Sequence, residues 1–113
     1  MHDVEFCHSL EQLVKHTLPA LVDLRAAGKV RYIGVTGYSL ETLVRLISLL
    51  PRGTVDAVLT YCRCTLLDQA LLGEPLDFFK RNDVGIINAS PVSMGLLSNR
   101  GPPDWHPATQ AIK

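Results

Sequence analysis

Charge is scarce in this chain, and it is balanced where it occurs. Eleven Lys and Arg face eleven Asp and Glu, and charged residues make up only 19% of 113 positions. Neutrality removes any long-range pull toward nucleic acid or an anionic membrane, so neither is an expected partner. No apolar run approaches the roughly 18–20 residues needed to span a bilayer. The opening "MHDVEFCHSL" has neither the basic start nor the apolar core of a signal peptide. The chain has only three cysteines, an odd number, so a reduced, cytoplasmic setting is the expectation. Cys62 and Cys64 have one residue between them, whereas zinc sites use about two to four, which argues against a metal there. There is no Gly-rich dinucleotide fingerprint of the GxGxxG type and no Ser-centred nucleophile elbow. Low-complexity segments are absent too. A 47% hydrophobic content says that the chain packs instead of staying disordered.

What is present has a rhythm. "HSLEQLVKHTLPALVDLRAAGK" (residues 8–29) reads as a helix. Ser9 and Gln12 form a capping box, and Leu10, Leu13, Val14, Leu18, Leu21 and Val22 share one face. Pro19 is expected to kink this helix or start its second half, and Gly28 to stop it. The β-branched strand "VRYIGVTG" follows, then a Ser39-capped helix "LETLVRLISLL" ended by Pro51, then the strand "TVDAVLTY". "LLDQALLGEPLDFFKRN" (residues 66–82) reads as a third helical segment broken near Gly73 and Pro75, and "VGIINA" as a third strand. Strands are expected near 30–36, 55–61 and 84–89. Their regular spacing is that of βα units, which form parallel sheets with right-handed crossovers. Near-continuous apolar strands are expected where both sheet faces are covered. The one break in composition is "SNRGPPDWHPATQAIK", a polar, Pro-rich tail loop over residues 98–113.

Three parallel strands make a poor domain, because both sheet edges expose unpaired strands. A closed (β/α)8 barrel has no edges but needs roughly 250 residues. The opening "MHDVEF" looks like the end of a strand whose body is missing. The chain therefore reads as a fragment, a splice form or a subunit that needs a partner, with self-association through its open strand edges as one expectation.

Chemistry is sparse. His2 and Asp3 stand where a missing strand would end, and barrel catalytic groups lie at strand C-termini; the bland alternative is a disordered terminal pair. Cys7, His8 and His16 could be assembled into a site on paper, but ordinary packing or solvent contact is the expectation. The "FFKRN" charges read as the solvated end of a helix. "SPVSMGLL" follows a buried strand at the end where parallel α/β folds bind ligands. Pro91 stiffens the exit, Gly95 permits close backbone approach, Ser90 and Ser93 bring hydroxyls, and free N–H groups could hold a phosphate. From the residues alone, an anion-binding loop and a plain strand-to-helix turn stay open.

Taken together and in order, "HDVEF", "LRAAGKVRYIGVTG", "NASPVSMGLL" and "GPPDWHPA" resemble the aldo-keto reductase family, most of all its galactose-dehydrogenase-like branch. The resemblance covers nearly the whole chain. It implies an α/β fold, a partial (β/α)8 TIM barrel from the end of strand four to the loop after strand seven, with residues 1–113 one partial domain. It also implies an oxidoreductase that takes a small-molecule sugar or aldehyde and NAD or NADP. By the same resemblance His2 matches the active-site histidine that helps to hold the substrate oxygen. Thr36 and Gly37 end the strand that contacts the cofactor carboxamide, where the family often has Ser-Asn. Tyr61 falls where many members have a carboxamide-binding Gln. Ser90, Pro91, Val92 and Gly95 match the cofactor loop, and Ala89 stands where many members stack a Tyr on the nicotinamide. The family's catalytic Asp, Tyr and Lys have no counterpart in these 113 residues, which implies a chain that is catalytically incompetent alone. A non-catalytic pairing module is the alternative. A small doubly wound domain binding a phosphorylated ligand is a third reading, and the apolar "VGII" argues against it.

Overall fold

The computed structural model describes residues 1–113. After a 3-10 turn at Val4–Phe6, the first helix, α1, runs over residues 10–26 as two α-helical pieces, Leu10–Gln12 and Leu18–Ala26, joined by a π-helical turn at Leu13–Thr17. The π turn lies just before Pro19. A proline has no N–H to give and its ring collides with the carbonyl four residues back, so the helix widens: Leu18 N–H reaches Leu13 O instead of Val14 O. The Ser9 hydroxyl accepts from Gln12 N–H at 3.2 Å, which is one half of the anticipated capping box. At the other end Gly28 takes φ 71°. Its N–H bonds Arg25 O, while Lys29 N–H bonds Leu24 O, the paired bonds of a Schellman stop.

The remaining elements alternate. They are β1 (Gly34–Gly37), α2 (Leu40–Ser48), β2 (Ala57–Tyr61), α3 (Glu74–Arg81) and β3 (Gly85–Ala89). The three strands lie in the order β1-β2-β3 and both pairings are parallel. The fold is α/β, an open parallel sheet that fits an arc of a barrel. Each strand starts later than the sequence suggests. Ahead of β1 and β2, Ile33 N–H is taken by the Asp56 carboxylate at 2.7 Å and Asp56 N–H by Ile33 O at 2.8 Å. A side chain therefore holds the approach to the sheet before the regular ladder begins. The third helix is also shorter than its pattern. Residues 66–73 form turns, because the Asp68 carboxylate captures Ala70 N–H, the Thr65 hydroxyl captures the N–H groups of Leu67 and Asp68, and Gly73 has φ 89°.

The register divides the side chains between two faces. Val35, Val58 and Ile86 align, as do Gly37, Thr60 and Asn88, and this face meets the helices. Here Val35, Val58, Leu43, Leu46, Leu18 and Phe79 form a core with almost no exposure. The opposite face carries Gly34, Ala57 and Gly85 in one row and Thr36, Leu59 and Ile87 in the next. No helix covers it, and Ile87 is 54% exposed. The expectation that both faces are covered thus holds on the helix side only. In a closed barrel the open face would be the packed interior. Beside β1, Met1 supplies the end of a ladder: its α-ammonium donates to Gly34 O at 2.8 Å and its carbonyl accepts from Thr36 N–H at 2.9 Å.

Candidate active site at the strand ends

Parallel strands present their C-terminal ends to one side of the sheet, and the candidate residues gather there. Asp3 is locked to the end of β1 by two bonds: its N–H donates to Thr36 Oγ1 at 2.7 Å, and the Thr36 hydroxyl donates to Asp3 Oδ1 at 3.0 Å. The other carboxylate oxygen, Oδ2, lies 3.0 Å from His2 Nδ1. His2 Nε2 in turn lies 3.2 Å from the Tyr61 hydroxyl at the end of β2. The His2 side chain is 73% exposed, whereas that of Asp3 is 25% exposed. A continuous run Thr36–Asp3–His2–Tyr61 therefore crosses the rim from β1 to β2.

Two tyrosines form the floor beside it. Because Gly37 aligns with Thr60, Tyr38 and Tyr61 follow as neighbours on the same face, and their rings stack at 4.5 Å with planes 26° apart. Burial against this surface raises the Tyr38 phenol above its ordinary range, and the negative fields of Asp3, Tyr61, Cys62 and Glu5 act the same way, so Tyr38 stays a hydroxyl. Glu5 accepts from Tyr38 N–H with one carboxylate oxygen. Its other oxygen is buried and unpaired against Gly37, where an added Cβ would stand 2.7 Å from it. Gly37 thus serves to admit the Glu5 carboxylate.

The loop after β2 is pinned on both sides. Arg63 Nε donates to Tyr38 O at 3.0 Å and its guanidinium pairs with Asp68 at 3.0 Å. Asn88 exchanges two bonds with the Cys64 backbone, at 3.1 and 2.9 Å. Cys62 N–H reaches Ala89 O, and its thiol donates to Ser90 O at 3.4 Å, so the ends of β2 and β3 are tied together. Asp3, Cys62, Ser90, Ser93 and Met94 all have positive φ. Left-handed residues other than glycine concentrate here, where the chain turns out of the sheet.

The loop after β3 is closed mostly upon itself. The N–H groups of Ser93, Gly95, Leu96 and Leu97 bond carbonyls within it. Gly95 has φ 95°, and an added Cβ would meet Gly101 O at 2.9 Å, so the backbone approaching this glycine is the chain's own tail. His106 reinforces that closure, with Nε2 3.1 Å from Ser93 O and Nδ1 accepting from Ala108 N–H at 3.0 Å. Pro91 and Val92 are exposed, Val92 to 45%, and Ser90 is half-buried. The structure thus brings His2, Thr36 and Tyr61 into one bonded group and sets Ser90 beside it. It holds Gly95 farther along, against the tail.

Glu5, Tyr38 and Arg63 are the members that sequence reading left without a role; Asp3 was singled out with His2 by position alone, without its partners. Tyr38 was within reach of it, since aligning the ends of "GVTGY" and "VLTY" puts the two tyrosines side by side. The roles of Glu5 and Arg63 depend on loop paths that no pattern announces.

The parallel sheet, with candidate side chains collected at its C-terminal ends, defines an α/β protein consistent with part of a barrel, and those ends are where such barrels carry their sites. Comparison with known proteins narrows the class. The model of the Aldo/keto reductase family matches residues 1–111, and the chain belongs to that family. It is 46% identical over 112 residues to L-galactose dehydrogenase of Arabidopsis thaliana, covering 99% of this chain and 34% of the relative. It is 32% identical over 102 residues to D-threo-aldose 1-dehydrogenase of a Pseudomonas species, covering 90% of this chain and 30% of that protein. It is 28% identical to D-arabinose 1-dehydrogenase of Saccharomyces cerevisiae over its whole length and 35% of the relative. The chain spans about a third of the length of the curated relatives it matches.

Proposed function

We propose that this chain forms one arc of an NAD(P)-dependent sugar dehydrogenase of the aldo-keto reductase family, and that His2 is its catalytic contribution. The observation that carries the reading is the position of His2: exposed at the rim, anchored by Asp3 and within hydrogen-bond distance of Tyr61. At this rim a sugar hydroxyl would meet His2 and an aldehyde oxygen would meet the Tyr61 hydroxyl, with the stacked tyrosines beneath. Polar hydroxyls over aromatic rings suit a sugar, whose faces are apolar and whose edge is polar. The names of the three relatives, all sugar dehydrogenases, support the same substrate class.

The accessible part of the β3 exit fits a cofactor contact at Ser90, Pro91 and Val92, and the strand ends at Thr36 and Tyr61 fit the nicotinamide end, with Gly37, buried against Glu5, able to take part only through its backbone. Gly95 is given the role of seating the loop against Gly101. NAD or NADP, when bound, supplies the hydride exchange; the chain's own residues orient the sugar oxygen and hold its proton. The 113 residues contain no counterpart of the family's Asp, Tyr and Lys, so the chain by itself turns over no sugar. No helix is long and apolar enough to cross a membrane, and a cytoplasmic setting is part of the proposal.

The test is a chimera in which this chain replaces the matching third of the Arabidopsis relative. A soluble chimera is expected to reduce NAD(P) in the presence of galactose-type sugars, and His2→Ala to lower kcat/KM by roughly 10²–10⁴-fold. A folded chimera that binds NAD(P) but shows no sugar-dependent turnover would overturn the assignment. A second reading, a pairing module without catalysis, is favoured by one feature, the open sheet face bearing Ile87.

A further inference from the structure

The histidine at the rim has two ring nitrogens, and both have a partner. Nδ1 lies 3.0 Å from Asp3 Oδ2 and Nε2 lies 3.2 Å from the Tyr61 hydroxyl. An ionised carboxylate only accepts hydrogen bonds, so the proton of the neutral ring must sit on Nδ1. Nε2 is then a lone pair, and the Tyr61 O–H donates to it. The carboxylate is not free to turn away, because its other oxygen holds the Thr36 hydroxyl at 3.0 Å and its own N–H is held by Thr36 Oγ1 at 2.7 Å. The backbone is committed as well: Asp3 is left-handed, at φ 48° and ψ 65°, a conformation in which Asp is among the tolerated residues.

We infer that Asp3 is a positioning residue that holds His2 in the Nδ1–H tautomer and so makes Nε2 a hydrogen-bond acceptor, with Tyr61 as the donor that occupies it. The polarity of the run is fixed from one end: Tyr61 to His2 to Asp3, with Thr36 securing the carboxylate. The role of His2 toward a sugar oxygen rests on the reading given above, and Asp3 would act on that oxygen only through His2. The tautomer rests on the geometry alone.

The experiment is therefore spectroscopic and needs neither turnover nor cofactor. The full chain is labelled with ¹⁵N-histidine and studied at about pH 8, where an imidazole is neutral. The four histidines are assigned by single His→Gln variants. His2 is expected to show a protonated Nδ1 and an unprotonated Nε2. Asp3→Gly removes the carboxylate while keeping the left-handed backbone easy to adopt, and it is expected to shift His2 to mainly the Nε2–H form. Tyr61→Phe is expected to leave Nδ1 protonated and to move only the Nε2 resonance. A wild-type His2 found as Nε2–H would overturn the inference, whatever the variants do. So would an Asp3→Gly chain, with its other amide resonances in place, in which the tautomer is unchanged. Failure of the chimera with a normal tautomer would remove the sugar dehydrogenase reading and leave Asp3 where it is.

Discussion

At the scale of single residues, the two tightest statements concern groups that the fold treats in opposite ways. Thr60 is fully buried in β2, and its hydroxyl has no partner. Burying an unpaired hydroxyl costs about 1–3 kcal/mol, whereas the methyl of valine fits the same shape. Thr60→Val is therefore expected to raise stability by about 1 kcal/mol, read as a higher urea midpoint at unchanged slope. A lower midpoint would mean that the hydroxyl does have a partner in solution. Asp68 is the converse. Ala70 N–H donates to its carboxylate at 2.8 Å, and this bond, with the Arg63 guanidinium second, holds the carboxyl below its ordinary value of 3.8 against the smaller effect of desolvation. A lowered value means that the folded state binds the proton less tightly than the unfolded chain. The stabilisation is complete above the ordinary value and is lost as pH falls through the lowered one. In Asp68→Asn the loss of melting temperature between about pH 6 and pH 3 should be smaller than in the wild type, since one acid-sensitive group has been removed. An identical acid profile in the two proteins would show that the loop after β2 contributes nothing there.

Among the elements, helix ends carry the clearest local energetics. α3 closes with Val84 N–H on Phe79 O and Asp83 N–H on Lys80 O, the same pair of bonds that ends α1. The turning residue is Gly28 in one case and Asp83, at φ 57°, in the other. A side chain in this conformation costs roughly 1–2 kcal/mol. The ion pair of Asp83 with Arg52, at 2.8 Å, returns little, because both side chains are mostly exposed. Asp83→Gly is expected to stabilise the chain by about 0.5–1 kcal/mol by equilibrium unfolding, and a net loss would assign the Arg52 pair more weight than exposed pairs carry. The same two helix ends show what could be read in advance. Gly28 was legible because glycine is the residue that reaches positive φ freely; Asp83 was not, because nothing local distinguishes a left-handed Asp from any other. The parallel sense follows from the spacing of the βα units, and the Ser9 and Ser39 caps from local hydrogen bonding, which short windows of sequence contain. The turns at residues 66–73 do not. There apolar periodicity suggests helix, while Thr65 and Asp68 divert the backbone donors, and the competition is settled by Arg63 and Asn88 from outside the window. Of the candidate site, His2 and the β3 exit were proposed through the family pattern. The bonds that join His2 to Asp3 and Tyr61 depend on the register between β1 and β2.

For the whole molecule, the deciding feature is the difference between the two faces of the sheet. The helix-covered face is closed by Leu43, Leu46, Leu18 and Phe79, none of which is appreciably exposed. The other face leaves Ile87 54% exposed beside Leu59 and Ala57, and β3 has no neighbour on its outer side. The opposite edge is partly capped, since Met1 bonds both Gly34 and Thr36. An unpaired strand next to an apolar face is a template for another chain. The purified chain is therefore expected to self-associate, with β3 and the open face buried between copies. Ile87→Lys places a charge in the middle of that face without touching the helix side or the rim, so it should shift the chain toward monomer in light scattering coupled to size exclusion. Circular dichroism should stay the same, because the core on the other face is intact. If the wild type is already monomeric at tens of micromolar, or Ile87→Lys leaves an oligomer unchanged, the open face is not the surface through which copies meet. The pairing-module reading would then lose the one observation that favours it, while the His2–Asp3–Tyr61 group, built on the rim and independent of that face, would keep its place as the candidate site.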